Sequence, residues 1–125
     1  MVDVRTAAAE YLKNDAAVSS IVGDAVYLIT ATDVNRYPRI VLREVANAAA
    51  PRFDGKGHEG MVDLRVWFWT KTYDHFFALG EAIDEAMTGD KWARVSVTED
   101  NYLEEHSVFE KSFVYRKKFF RPNKI

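Results

Sequence analysis

Residues 61–70, MVDLRVWFWT, alternate without interruption. Val62, Leu64, Val66 and Phe68 fall on one face of an extended chain, and Asp63, Arg65, Trp67 and Trp69 on the other. Successive side chains of a strand point to opposite faces, so the pattern specifies a strand with one apolar side. Directly afterwards the period changes. Tyr73, Phe76, Phe77, Gly80, Ile83, Ala86 and Met87 recur at helical spacing, with Glu81, Asp84 and Glu85 mostly outside the stripe. This predicts a helix over about 72–88, ended by Gly89. Gly80 lies on the stripe, either as a point of close approach to the sheet or as a tolerated glycine.

The remaining elements arrange themselves around this pair. Val4, Ala7, Ala8, Tyr11 and Leu12 mark an alanine-rich amphipathic helix over 3–14, with Asp3 as its expected N-cap. Asp15 is placed to cap a second short helix, DAAVSSIV, which Gly23 ends in a left-handed conformation. AVYLI (25–29) reads as a strand and TATDVNRY (30–37) as a loop. Pro38 opens PRIVLREVA, with Ile40 and Leu42 facing one way and Val41 and Val45 the other. Strands are expected at 91–99 and 107–120, joined by the acidic turn DNYLEEH. The stretch NAAAPRFDGKGHEG (47–60) has three glycines, a proline and no hydrophobic period, and reads as a flexible loop or arm. Residues 121–125 read as a C-terminal tail. The order α-α-β-β-β-α-β-β implies an α+β fold: a mostly antiparallel sheet of about five strands, with the N-terminal helices and the long helix packed on it. At 125 residues the whole chain, 1–125, is expected to form a single domain.

Most chemistries find no foothold. The chain has no cysteine, which removes disulfides and zinc–thiolate sites. His58, His75 and His106 show no ligand spacing. Asp54, His58 and Glu59 share a glycine-rich segment that would not hold a metal rigidly. FDGKGHEG lacks the spacer and trailing Ser/Thr of a phosphate-binding loop. The carboxylate pairs Glu99–Asp100 and Glu104–Glu105 belong to one hydrophilic turn, and no serine sits in a nucleophile elbow. No catalytic residue, metal or cofactor is expected. Asp3 and Glu10 rule out reading the N-terminus as a signal peptide or membrane span, so no membrane partner is expected either. A net charge of −2 argues against a dedicated nucleic-acid binder. Arg116, Lys117, Lys118 and Arg121 interleave with Phe119 and Phe120. That pattern suits nucleic-acid contact, a guarded strand end or a subunit contact. Trp67 and Trp69, opposite the apolar face, need a cover: a second layer of this chain or another subunit.

One set of blocks carries a resemblance. LKNDAAVSSIVGDAVYLI (12–29), YPRIVLREV (37–45), DGKG (54–57) and VDLRVWFWTKTYDHFFALGEAIDEAM (62–87) follow one another as in the tail-completion, or tail-terminator, family of long-tailed phages, prophages and gene transfer agents. The chain resembles that family over residues 3–120, without any catalytic motif to anchor the likeness. The resemblance implies a structural virion protein. It would form a cyclic homo-oligomer, a ring of six copies, on the head-proximal end of the tail tube. Its partners would be itself, the tail tube protein and the head–tail connector, with DNA only in transit through the lumen. Assembly would take place in the host cytoplasm. The interface residues expected on this reading are Phe53, Asp54, Lys56 and His58 in the arm, Trp67 and Trp69 on the strand, and Arg116, Lys118 and Phe120 near the C-terminus. Two other readings stay open: another head–tail adaptor or minor tail component, and a small-molecule-binding or enzymatic α+β domain with a pocket near His75.

Overall fold

The alternating run forms the middle of the sheet. The computed structural model describes residues 4–31, 33, 35–51 and 57–122, and for 47–51, 57–59 and 119–122 the backbone alone. Six strands are present: β1 (Val26–Leu28), β2 (Arg39–Pro51), β3 (Gly57–Thr70), β4 (Ala93–Val97), β5 (Asn101–Leu103) and β6 (Val108–Pro122). Their order is β1-β2-β3-β6-β4, and β5 pairs with β6 beside β4. Only β1–β2 is parallel; the other ladders are antiparallel. The helices are α1 (Arg5–Asn14), α2 (Ala16–Val22) and α3 (Tyr73–Gly89). The fold is α+β, as the element order implies.

The helices share one face of the sheet. Ile40 and Leu42 of β2, Val62, Leu64, Val66 and Phe68 of β3 and Tyr115 of β6 are each fully buried there. They form one cluster with Leu12 of α1, Val18 of α2 and Leu79, Ile83 and Met87 of α3. Burial of this apolar area is the main term holding helices to sheet.

The helix starts and stops are partly those expected. The Asp15 carboxylate accepts from the Val18 N–H at 3.0 Å, and Gly23 follows α2 with φ +62°. Asp3 lies outside the described residues; Val4 stands at the α1 N-cap, where no side chain accepts a hydrogen bond. Both amphipathic stripes are rotated from their sequence reading. In α1, Ala8, Ala9 and Leu12 turn inward while Tyr11 is exposed; in α3, Phe76 and Leu79 turn inward while Tyr73 and Phe77 are about 60% exposed. Residues outside the sequence stripes, Ala9 in α1 and Leu79 and Ala82 in α3, are buried in their place.

Four departures concern the strands. The stretch 47–60 read as a loop, yet its described backbone is strand. The β2–β3 ladder runs from Arg39↔Trp69 to Pro51↔His58, and the β3–β6 ladder runs on to Gly57↔Pro122. Alanines and glycines carry no readable alternation, but partners on both sides of β3 satisfy the backbone groups, and pairing overrides weak propensity. Only 52–56 lie outside the described residues. Likewise Arg121 and Pro122, read as a tail, continue β6; 123–125 are outside the described residues. The acidic turn contains a short strand, β5, whose three residues pair with Val108–Glu110. A three-residue strand is too short to show alternation in a sequence. Finally, a bulge between Glu44 and Ala46 leaves Val45 out of the ladder and exposed, not on a face with Val41.

Gly80 meets the sheet closely. A Cβ there would stand 3.4 Å from Phe68 Cζ and 3.8 Å from Phe113 Cζ, ordinary van der Waals contact. Gly80→Ala therefore fits without strain, and removing a mid-helix glycine is expected to raise stability by about 0.5–1 kcal/mol. Gly80→Leu is expected to destabilise, because its longer side chain has only the two rings to enter. Urea unfolding of both variants checks the pair.

Candidate interface on the uncovered sheet face

Alternation sends every second residue of the sheet to the side away from the helices. That side carries Arg39, Val41 and Arg43 from β2, Asp63, Arg65, Trp67 and Trp69 from β3, and Glu110, Ser112, Val114 and Arg116 from β6. Among the described residues no helix covers it. It is therefore built to shield itself, and the register shows how.

Cross-strand partners form rows. In the first row Arg39, Trp69, Glu110 and Asn101 stand side by side on β2, β3, β6 and β5. The Arg39 guanidinium lies 4.5 Å from the Tyr37 ring centre and 4.7 Å from that of Trp69. Trp69 Nε1–H donates to Glu110 Oε2 at 2.7 Å, and Asn101 Nδ2 donates to Glu110 Oε1 at 3.4 Å. The second row is Val41, Trp67 and Ser112. Trp67 stacks on Trp69 with centroids 6.0 Å apart and planes 17° from parallel. The Arg43 and Arg65 guanidiniums each lie 5.3 Å from the Trp67 ring. Val41, between these arginines and the indole, is buried although no second layer covers it. Long arginine stems shelter apolar surface while their charges reach water. Further along, Arg116 meets Asp63 through two hydrogen bonds of 2.8 and 3.0 Å. The hydrogen bond to that carboxylate, then its charge, holds the Arg116 guanidinium above its ordinary range.

Chemically, this face is suited to contact rather than to proton transfer. Guanidiniums stay protonated across the ordinary pH range, so they exchange no protons; they present planar arrays of donors suited to carboxylates or phosphates. Arg65 Nε is buried with no hydrogen-bond partner among the described residues. Two open clefts flank the tryptophans. One, of about 420 Å³, is lined by Tyr37, Arg39, Trp69, Lys71 and His106. The other, of about 560 Å³, is lined by Trp67, Glu99, Asp100, Asn101 and Glu110. The first cleft is bordered by cations, with Leu103 and His106 also at its wall, and the second by acids.

The expected interface residues fall into three groups. Trp67 and Trp69 are half-buried at the centre of this face, and Arg116 and Lys118 lie exposed further along it. His58 and Phe120 are on β3 and β6, opposite Arg121 and Glu59, and only their backbone is described. Phe53, Asp54 and Lys56 lie outside the described residues. Sequence reasoning missed Tyr37, Arg39, Arg43, Lys71 and Glu110. The signal was present in part, since Arg39 and Arg43 alternate in phase with Val41, but which strand faces Trp67 is a long-range fact. His75, around which a small-molecule pocket was entertained, is exposed in the first turn of α3, and its N–H is capped by Thr72 Oγ1. It lines neither flanking cleft. Among the described residues no cluster of His, Asp and Glu could hold a metal ion, and no helix is long and apolar enough to cross a membrane.

Residues 6–124 match the model of the family described as tail completion protein gp17. The chain belongs to that family. It is a structural protein of the phage virion tail. The fold is shared with a chain of the solved structure "Virion of native gene transfer agent (GTA) particle", at TM-score 0.67 and 19% identity, over 97% of this chain and 95% of that one. No curated protein matches.

Proposed function

We propose that this protein terminates a phage tail. Six copies close into a ring on the head-proximal end of the finished tail tube, stop its polymerisation and offer the surface to which the head–tail connector joins. It acts by docking and turns over no substrate. The observation that carries this reading is the sheet face just described, with its stacked Trp67 and Trp69 left uncovered by α1–α3. Exposed tryptophans cost solubility unless a partner covers them, and Trp and Arg dominate the energetics of protein contacts. Slight net acidity (−2) suits a lumen through which DNA must slide without being gripped. The long β2–β3 hairpin serves as an arm toward a neighbour or the tube, with Phe53, Asp54, Lys56 and His58 as its contacts and Phe120 of β6 beside it.

Electron microscopy of the purified protein mixed with tail tubes tests the proposal. Annular caps at one tube end are expected, and particles made without the protein should carry overlong tails. Normal-length tails lacking heads would instead make the protein an adaptor, and bare tube ends would overturn the assignment.

A further inference from the structure

We infer that the cationic margin of the tryptophan face receives the acidic margin of a second copy of this chain, Arg43, Arg65 and Lys71 of one subunit meeting Glu99, Glu104 and Glu105 of the next. The inference rests on the ring reading and names the contact from which the ring would be built.

The sheet is polarised across its width. Cations occupy the side formed by β2 and the adjoining end of β3: Arg39, Arg43, Arg65 and Lys71. Residues 99–105, EDNYLEE, at the opposite margin beyond β6, hold four acids and no base. Internal pairing does not cancel this separation. Among the described residues Lys111 engages Asp100 at 2.6 Å, while Glu99, Glu104 and Glu105 form no ion pair, and neither do Arg43, Arg65 and Lys71. Neighbouring strands are about 4.8 Å apart, so Arg43 on β2 is three steps, roughly 14 Å, across the sheet from β5, and β3 with Arg65 is two steps, roughly 10 Å, from it. Lys71 shares a cleft with Leu103 and His106, yet no ion pair joins the two charge sets within the subunit among the described residues. They are well placed to meet between subunits.

Such a contact joins two different patches of the same chain. Heterologous contacts of this kind close into rings when the rotation between copies divides a full turn. The chemistry of the face favours a protein carboxylate over a nucleic acid. Each indole already has a guanidinium 4.7–5.3 Å from its centre, so base stacking would have to displace it. Glu110 lies in the same row as Arg39 and Trp69, and Glu99 and Asp100 line the neighbouring cleft, which would repel a phosphate backbone. A glutamate reaching only the cationic margin avoids that repulsion, and guanidinium and carboxylate match in plane and in donor spacing.

The absence of cysteine gives a clean test. Full-length Arg43→Cys and Glu104→Cys, and the double variant, are assembled on tail tubes and treated with a short bis-maleimide. The expected result is a covalent dimer when the two single variants are mixed, a ladder of higher species from the double variant, and no product from either single variant alone. A dimer from Arg43→Cys alone would mean a two-fold contact and would overturn the inference. Caps that form without cross-linking between the two positions would also overturn it while leaving the ring reading intact; bare tubes with unmodified protein would sink both. In parallel, Arg43→Glu with Lys71→Glu, both at exposed positions, should weaken cap formation more than about tenfold, and adding Glu104→Lys with Glu105→Lys should restore it. Unimpaired caps with weakened binding to double-stranded DNA would assign the face to nucleic acid instead.

Discussion

Replacing Phe68 by alanine is expected to lower the free energy of unfolding by about 3–5 kcal/mol. The ring is fully buried where β3, β6 and α3 meet, with centroids 5.5 Å from Phe76 and 5.5 Å from Phe113. Gly80 brings the α3 backbone so close that its missing Cβ would touch the ring. Collapse into the vacated space is therefore resisted on two sides: by the laddered backbones of β3 and β6, and by a helix already near the sheet. Cavity cost adds to lost transfer energy under those conditions. Small domains are stable by roughly 5–15 kcal/mol in total, so the variant should sit near the limit of folding. Phe68→Leu, which keeps most of the volume, should lose less than about half as much. The measurement is a pair of urea titrations followed by far-ultraviolet circular dichroism. A loss below about 1 kcal/mol for Phe68→Ala would mean that α3 does not depend on this ring for its seat.

The contrast between Phe68 and its neighbour Trp69 shows what could be read before any coordinates. Alternation in 61–70 places Phe68 inward and Trp69 outward, and the change to helical period after Thr70 places α3 on the inward side. Those are local facts, and they hold. What alternation cannot supply is the partner across the ladder. That Trp69 lies between Arg39 and Glu110, and that Arg43 and Arg65 flank Trp67, follows from pairing of segments up to 41 residues apart. The same limit explains the hairpin. Asn47–Pro51 and Gly57–Gly60 have no pattern of their own and become strand because β3 is paired on both sides. β5 exists only as a complement to Val108–Glu110. Tyr73 and Phe77 mislead in the opposite direction: their spacing is helical, but the buried face is turned toward Leu79 and Ala82, and which of two adjacent apolar rows turns inward is decided by the layer it meets. The family likeness was legible because it rests on whole blocks in order. The tryptophan face was legible only as a problem, two indoles in need of cover.

The second large effect is expected in alkali. Tyr115 is fully buried on β6, and its hydroxyl donates to Asp84 Oδ1 of α3 at 2.8 Å, while the Arg94 guanidinium lies 3.4 Å from the same oxygen. Burial first, then the hydrogen bond to Asp84 and the charge of Asp84, push the phenol well above its ordinary value of 10.0; Arg94 pulls the other way but weakly. The folded chain thus keeps this proton at a pH where the unfolded chain gives it up. The sign follows. Below pH 10 both states are protonated and the contribution is intact; above it the unfolded state is stabilised by ionising, and folding stability falls by up to about 1.4 kcal/mol per pH unit. Tyr115→Phe removes both the hydrogen bond and the titration. At pH 7 it should be less stable than the parent by about 1.5–3 kcal/mol, the range for a hydrogen bond to a charged group. Asp84 retains Arg94, which keeps the loss toward the lower end of that range. By pH 11 the parent's advantage should have shrunk by about 1.4 kcal/mol, most of it between pH 10 and 11, since only the parent has this proton to lose. Every other ionisable group is common to both proteins and cancels in the difference. Parallel stability curves from pH 7 to 11 would mean that the Tyr115 phenol ionises as readily folded as unfolded, and that the contact between α3 and β6 does not run through its proton.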